Sequence, residues 1–294
     1  MEAMVSSLVP QNGRVLILEN GVYGERLARI AMIYGIESQS VKYDWIEGWN
    51  LDDVRTALEE SKFTHVTAVH HETTTGRLNP VAELAELCAD AGVQLLLDAV
   101  SSFGAESIPF ESPALAACAA TANKCLHGIP GLCFVMARTS ALDSGAVPPR
   151  TLYLDLQNWA QHQDRQSTPF TPSVQAMLAM RQALRELGQQ GGWQARHARY
   201  DKLATTVART LADQSVVPFL VAEQSSCVLR AYRLPQGMDY DTIHDGLKQR
   251  GFVIYAGQGD LSDHMFRIST MGDIGDYDLQ RLETALESVF SSQG

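Results

Sequence analysis

The stretch VQLLLDAV, residues 93–100, is an apolar run that ends in a single carboxylate, Asp98. Three consecutive leucines leave neither face of a strand polar, which is typical of a parallel strand covered on both sides. Helical stripes and turn residues alternate with this run and its counterparts, which predicts an α/β fold with a mostly parallel sheet and helices on both faces. The other apolar runs are VLILEN (15–20), HVTAVHHE (65–72), LAACAATA (115–122) and GLCFVMA (131–137).

The composition excludes several classes of protein. A net charge of −11 and an isoelectric point near 5.1 over 294 residues argue against a non-specific nucleic-acid binder. The N-terminus lacks the basic and apolar regions of a signal peptide, and no apolar run reaches the roughly 20 residues of a membrane span. We therefore expect a cytoplasmic protein that does not bind membranes.

The cysteines and histidines do not form a metal-binding pattern. The five cysteines include no CxxC pair, and the adjacent His70 and His71 lack the spacing of helical metal ligands. We expect reduced thiols and no metal site.

A change of pattern after Arg138 indicates a second domain. Residues 147–173 are rich in Pro, Gln, Thr and Asp and resemble a long excursion, and the helix that follows ends at a group of glycines. The remainder alternates helices with short strands, among them FVIYAG (252–257). We predict a large domain at 1–190 and a smaller α+β domain at 191–294.

Two ionisable residues follow neighbouring apolar runs, and the chemistry of both depends on burial. Asp98 comes directly after three leucines, where a carboxylate needs a cationic or strongly donating partner. Lys124 directly follows the run LAACAATAN (115–123). Desolvation at this position would make its amine a better nucleophile. The alternatives are a capping aspartate at a strand end and a solvated lysine. In an open α/β sheet, ligands bind at the carboxyl ends of the strands.

A nucleophilic lysine and a buried aspartate are the two groups that pyridoxal phosphate requires of a protein. The aspartate keeps the ring nitrogen of the cofactor protonated, and the lysine binds its aldehyde until an amine substrate displaces it. Pyridoxal 5'-phosphate is therefore the cofactor that this pair predicts.

Several longer motifs make the chain resemble a known family. The chain is similar, over nearly its whole length, to the class V aminotransferases among the fold-type I pyridoxal phosphate enzymes. The resemblance implies that family's large domain followed by a smaller C-terminal domain. The motifs are HHETTTGRLNP (70–80), LLLDAVSSFGAESIPF (95–110), ANKCLHGIPGLCFVMAR (122–138), RTLYLDLQNW (150–159), STPFTPS (167–173) and GFVIYAGQGDLSDHMFRIS (251–269).

The resemblance implies a role for each candidate site residue. It makes Lys124 the lysine that binds the cofactor covalently and Asp98 the partner of the pyridine nitrogen. It places Tyr23 on the face of the cofactor ring, Thr74 near the ring hydroxyl and Ser101 near the phosphate.

Two further roles follow from the resemblance. Thr171 would reach the phosphate of a neighbouring subunit, which implies a homodimer with shared active sites, and Arg267 would bind the acidic group of the substrate. The alternatives are packing at a helix start for Tyr23, a helix N-cap for Thr171 and an exposed strand arginine for Arg267.

The chain departs from the family pattern at its N-terminus. In the family a GSGT-type loop that binds phosphate precedes a helix resembling MEAMVSSLVP, and here that helix opens the sequence. We therefore expect that the N-terminal segment of the family is missing and that the cofactor binds more weakly than in a chain with the loop. The run FRIST also departs from an FRIGN-like run.

The resemblance implies transfer of the amino group of 2-aminoethylphosphonate to pyruvate, giving phosphonoacetaldehyde and alanine, a reaction of phosphonate metabolism. One alternative is another pyridoxal-dependent reaction on aminophosphonates, such as an ammonia lyase acting on a hydroxylated analogue. A second is transamination of the alanine–glyoxylate or serine–glyoxylate type. A third is a truncated chain with weak or no activity.

Overall fold

The three leucines Leu95, Leu96 and Leu97 lie in the buried part of a central strand. A computed structural model describes residues 1–142 and 148–291 and places these leucines in the strand Gln94–Asp98. Leu95, Leu96 and Leu97 are all inaccessible to solvent. Full burial stabilises the fold by about 1.5–3 kcal/mol for each such side chain.

The described residues contain eleven strands. They are β1 (Arg14–Glu19), β2 (Glu37–Lys42), β3 (His65–Val69), β4 (His71–Glu72), β5 (Arg77–Leu78), β6 (Gln94–Asp98), β7 (Leu115–Thr121), β8 (Cys133–Ala137), β9 (Leu229–Arg233), β10 (Tyr255–Ala256) and β11 (Met265–Ser269).

The described residues also contain ten α-helices. They are α1 (Glu2–Leu8), α2 (Val22–Ile33), α3 (Leu51–Glu60), α4 (Val81–Asp90), α5 (Thr139–Leu142), α6 (Leu156–Asp164), α7 (Val174–Gln189), α8 (Gly192–Asp213), α9 (Tyr240–Lys248) and α10 (Asp276–Ser291).

Six strands form the central sheet in the order β2-β1-β3-β6-β7-β8. All neighbours are parallel except β8, which runs antiparallel to β7. Asp98 at the end of β6 pairs in register with Val69 of β3 and Ala119 of β7. The predicted mostly parallel sheet is confirmed.

Alternate residues of the central strands enter two different apolar cores. Leu16 and Leu18 of β1 pack in the core that contains α3 and α4. Val15 and Ile17 pack in the core that contains α1 and α2. Because successive strand residues point to opposite faces, both faces of the sheet are covered by helices. The predicted fold class is therefore confirmed.

The chain divides into two compact units. The first contains Met1–Glu72, Asn79–Phe103 and Ser107–Ala183, as far as these ranges are described. The second contains Thr73–Leu78, Gly104–Glu106 and the described residues from Leu184 onward. Its antiparallel sheet has the order β10-β11-β9, and α8 packs against α10.

The structure adds to one local prediction and corrects another. The long excursion predicted after Arg138 contains α6, whose N-terminus is capped by Asp155 accepting a hydrogen bond from the Gln157 N–H at 3.0 Å. The strand predicted at 252–257 is confined to Tyr255–Ala256, because Val253 is mostly exposed and the chain there leaves the sheet.

None of the helices in the described ranges is both long and apolar enough to cross a bilayer.

Candidate active site

The parallel strands bring several polar residues to one edge of the sheet in the first unit. β1, β3, β6 and β7 all end at this carboxyl edge. Asn20 follows β1, Asp98 ends β6 and Lys124 lies three residues beyond the end of β7. The structure therefore brings Asp98 and Lys124 to the ends of adjacent strands, as the sequence predicts.

Asp98 is a buried carboxylate that also organises the turn after β6. Its Oδ1 accepts a hydrogen bond from the Val100 N–H at 2.9 Å, so the capping interaction considered as an alternative is present. Burial raises the pKa of Asp98 above its ordinary value, and the bond from Val100 opposes that shift. A cation against this carboxylate would favour its charged form.

Lys124 lies on a tight, half-buried turn after β7. The His127 N–H donates to the Lys124 carbonyl at 2.9 Å, and the Gly128 N–H donates to the Ala122 carbonyl at 2.7 Å. A Cβ at Gly128 would lie 2.9 Å from that Ala122 oxygen, so the turn is close-packed. The lysine is therefore partly screened from solvent and held on an ordered backbone.

Ser101 connects the turn after β6 to two neighbouring segments. Its hydroxyl donates to the His71 carbonyl at 3.0 Å. Its own carbonyl lies 3.2 Å from Nδ1 of His71 and accepts a hydrogen bond from the Cys125 thiol at 3.4 Å. Because Cys125 is next to Lys124, these contacts fix the lysine turn relative to Asp98.

Tyr23 lies in the first turn of α2, where a buried carboxylate holds the helix start. The Tyr23 N–H donates to Oε2 of Glu72 at 3.2 Å, and Glu72 is inaccessible to solvent. A Cβ at Gly21 would overlap that carboxyl group. The guanidinium of Arg26 lies 4.6 Å from the centroid of the Tyr23 ring, over one of its faces. The alternative considered for Tyr23, packing at a helix start, is therefore observed.

Two buried asparagines fix the ends of β1 and β3 relative to one another. Nδ2 of Asn20 donates to Oδ1 of Asn79 at 2.8 Å. Nδ2 of Asn79 donates to the Val69 carbonyl at 2.9 Å. The sequence signal for Asn79 was its position after a strand and before Pro80.

Ser102 is a polar residue that the sequence analysis did not single out. It is fully buried one residue beyond Ser101, and within residues 1–142 and 148–291 its hydroxyl has no hydrogen-bond partner. Unpaired buried hydroxyls are costly and mark places where a ligand or water completes the bonding. The pair Ser101-Ser102 after the buried aspartate was the signal for it.

Thr171 is exposed and lies outside the helix that follows it. Because α7 begins at Val174, the threonine does not cap that helix, and the N-cap alternative is wrong.

Thr74 and Arg267 belong to the second unit. Thr74 is fully buried. Arg267 of β11 is 9% exposed, and it donates from Nε to the Ala256 carbonyl at 2.9 Å and from Nη1 to the Thr73 carbonyl at 2.7 Å. The alternative of an exposed strand arginine is therefore wrong, because the guanidinium is held by backbone oxygens.

Comparisons with known proteins agree with this arrangement. The sequence model of the family described as Aminotransferase class-V matches residues 4–269. The chain is 35% identical to the 2-aminoethylphosphonate–pyruvate transaminase of Vibrio cholerae, over 98% of this chain and 79% of that protein. It is also 35% identical to the protein of the same name from Syntrophobacter fumaroxidans, over 100% of this chain and 80% of that protein.

Solved structures give the same result for the fold. The crystal structure of an alanine–glyoxylate aminotransferase from Nostoc superposes with a TM-score of 0.90 at 26% identity, over 98% of this chain and 78% of that one. The family match covers most of the sequence and includes the strand ends that bear Asp98 and Lys124. This chain is therefore a member of the class-V aminotransferase family.

Proposed function

We propose that this chain is a pyridoxal phosphate-dependent transaminase that moves the amino group of 2-aminoethylphosphonate to pyruvate. The observation that supports this most strongly is the similarity to transaminases named for these two substrates, which extends over 98% of the chain. The half-buried amine of Lys124 and the buried carboxylate of Asp98, on adjacent strand ends, support the cofactor.

The residues at the carboxyl edge have the chemistry that pyridoxal phosphate needs. The Asp98 carboxylate is buried, so a protonated ring nitrogen against it would offset the cost of its charge. The Ser102 hydroxyl is a buried group that a ligand atom would complete. The Asp98 carboxylate and the Ser102 hydroxyl therefore fit pyridoxal phosphate.

Lys124 and Asp98 have separate chemical roles in this proposal. Bound pyridoxal phosphate supplies an aldehyde that exchanges amino groups and a ring that accepts electrons. Nζ of Lys124 would hold that aldehyde until an amine substrate displaces it, and the freed amine would then carry a proton from the substrate carbon to the carbon of the former aldehyde. The Asp98 carboxylate would lie beside the ring nitrogen and keep it protonated.

The remaining site residues would bind the cofactor or the substrates and orient them. Tyr23 would stack on the cofactor ring, and Ser101 would lie on its phosphate side. Thr74 would lie near the ring hydroxyl. Arg267 would bind the phosphonate of one substrate and the carboxylate of the other, because its planar fork suits both groups. The contacts to Ala256 and Thr73 support this role, since they fix the orientation of the guanidinium.

A homodimer in the cytoplasm completes the proposal. Large apolar side chains lie exposed in the excursion that contains Thr171, where Leu152 is 78% and Tyr153 is 59% exposed. The Tyr153 and Phe170 rings are 4.9 Å apart at their centroids. Such a surface suits a subunit interface, and all five cysteines are free thiols, which suits the cytoplasm.

An assay of both half-reactions tests the proposal. The protein is incubated with pyridoxal phosphate, 2-aminoethylphosphonate and pyruvate, and alanine and phosphonoacetaldehyde are quantified. We expect both products in equal amounts, with loss of activity in Lys124→Ala and full activity in the exposed control Lys62→Ala.

Replacement of substrates separates the alternatives. An assay with glyoxylate in place of pyruvate and with alanine as the amine donor tests alanine–glyoxylate transamination. A hydroxylated aminophosphonate without any keto acid tests the lyase. Ammonia release in that last assay, with no alanine formed in the first, would contradict the proposed transamination.

A further inference from the structure

Three side chains of the types that bind metal ions lie together in the second unit. They have no part in the proposed reaction. They are Glu106, His197 of α8 and Cys227, which precedes β9. One ligand atom from each lies within 4.8 Å of the other two. We propose that this cluster, the Glu106–His197–Cys227 site, binds a zinc-class divalent cation.

The spacing of the three ligand atoms matches a tetrahedral zinc site. Nδ1 of His197 lies 3.2 Å from Oε2 of Glu106 and 3.5 Å from Sγ of Cys227. Ordinary Zn–N, Zn–O and Zn–S bond lengths at a tetrahedral angle put nitrogen about 3.4 Å from oxygen and about 3.6 Å from sulfur. An ion can therefore enter with little movement of the ligands.

A fourth oxygen lies beside the same three atoms. The Ala105 carbonyl oxygen is 2.9 Å from Nδ1 of His197 and 4.0 Å from Sγ of Cys227. In the metal-free protein this oxygen accepts the imidazole N–H. With the ion bound, the carbonyl or a water molecule completes the coordination.

The second oxygen of the Glu106 carboxylate is held in place by the chain around Cys227. Oε1 of Glu106 accepts hydrogen bonds from the Ser226 hydroxyl at 2.5 Å and from the Cys227 N–H at 2.9 Å. These bonds orient the carboxylate so that Oε2 is directed toward the imidazole. Outer hydrogen bonds of this kind are the usual support of a metal ligand.

Charge and access also favour a divalent ion. One thiolate, one carboxylate and one neutral imidazole balance the two positive charges of the ion, so a neutral group is buried. The Glu106 side chain is 2% exposed, whereas the His197 side chain is 43% exposed and gives the ion a path from solvent. Mixed nitrogen, sulfur and oxygen ligands select zinc or cobalt over magnesium or calcium.

Binding would exchange a proton for the ion. The thiol proton passes to solvent and an S–metal bond replaces the S–H bond, while the imidazole proton moves from Nδ1 to Nε2 so that the neutral ring binds the ion through Nδ1. The ion would then connect the segment Gly104–Glu106, helix α8 and Ser226-Cys227 within the second unit. The sequence analysis expected no metal site because these three segments have no recognisable spacing along the chain.

Cobalt titration of the full chain tests the proposal. Co²⁺ is added to the reduced protein, and the visible ligand-field bands and the thiolate-to-cobalt band are followed before and after zinc is added. We expect about one equivalent of Co²⁺, tetrahedral bands, and their loss when Zn²⁺ displaces the cobalt.

Variants assign the bands to this cluster. Cys227→Ser should abolish the thiolate-to-cobalt band, while Cys133→Ser, which removes an exposed thiol, should leave it unchanged. His197→Gln alters a half-exposed side chain and should weaken cobalt binding at least about tenfold. The proposal is overturned if the unaltered protein gives no tetrahedral bands, or if His197→Gln binds cobalt as tightly as the unaltered protein does.

Discussion

Burial and charge oppose each other at Asp98. Burial raises the pKa of this carboxyl, so its charged form requires a cation, and the proposed cofactor would provide one. Asp98→Asn keeps an acceptor for the Val100 N–H and removes the charge. We expect the rate of amino transfer to fall at least about 100-fold, which is roughly 2.7 kcal/mol of barrier.

The cofactor-free protein should respond in the opposite way. Because Asp98→Asn removes a group whose charge is costly to bury, the free energy of unfolding without cofactor should stay the same or rise. Asp90→Asn, on the exposed end of α4, is the control for both measurements. A loss in rate of less than about tenfold, or 1.4 kcal/mol, would assign the ring nitrogen to another partner.

His65 makes stability depend on pH. Burial lowers the pKa of this imidazole from 6.5 to about 4, so the unfolded chain binds a proton more readily than the folded one. The stability from neutral His65 is fully present above pH 6.5 and is lost as the pH falls from 6.5 to 4. The loss is at most about 3 kcal/mol, because each pKa unit corresponds to about 1.4 kcal/mol.

Urea unfolding at several pH values checks this prediction. The variant His65→Gln should lose that part of the pH dependence, whereas His264→Gln, which changes an exposed histidine, should retain it. Equal slopes of unfolding free energy against pH in His65→Gln and the unaltered protein would show that the imidazole is not the group responsible.

At the scale of elements, the contact of α2 with β1 depends on the absence of a side chain. A Cβ at Gly24 of α2 would lie 2.8 Å from the Glu19 Cα and 2.9 Å from the Leu18 carbonyl oxygen. Both are backbone atoms and cannot rotate away. Gly24→Ala should therefore push the helix off the strand and lower the free energy of unfolding by about 1–3 kcal/mol.

Gly188 of α7 provides the matched control. A Cβ there meets no atom within 4 Å. Gly188→Ala should raise the stability by up to about 1 kcal/mol, because alanine is the better helix former. Thermal and urea unfolding of the two variants should move in opposite directions. A shift of the same sign in both would refute the close-contact explanation.

The elements that the sequence predicts well are those whose burial leaves a local pattern. The leucines of β6 and the stripe of α2 indicate their structures without reference to the rest of the chain. The antiparallel direction of β8 was less evident, although the short helix-free connection Ala122–Leu132 cannot form a parallel crossover. Helix α6 was missed because its residues are mostly polar and none of them is buried, even though Asp155 was a sufficient N-cap signal.

Some residues of the candidate sites could be predicted from local sequence and others could not. Asp98 and Lys124 could be predicted because each directly follows a buried strand, and parallel strands bring their ends together. Glu106, His197 and Cys227 could not be grouped, since their proximity depends on tertiary packing of three distant segments. The burial of Arg267 could not be predicted from the sequence either. Apolar and polar residues alternate along β11, and that pattern is typical of a strand with one exposed face.

At the scale of the whole molecule, the proposed homodimer makes Thr171 part of a neighbour's site. Thr171 is exposed. If it acts across subunits, Thr171→Ala should weaken the binding of pyridoxal phosphate without changing the fold. One lost hydrogen bond to a charged phosphate corresponds to about 1.5–3 kcal/mol, or about 10- to 150-fold in affinity.

Mixed dimers distinguish action across subunits from action within one. In a dimer of Lys124→Ala with Thr171→Ala, the subunit that retains Lys124 receives an intact Thr171 from its partner. Tight cofactor binding should therefore return in one of the two sites when the variants are unfolded and refolded together. Action within one subunit predicts no recovery, since each chain then lacks one of the two residues. Cofactor titration of the mixture against each variant alone, with sedimentation to verify the dimer, measures the difference. Unchanged weak binding in verified mixed dimers would contradict a site shared between subunits.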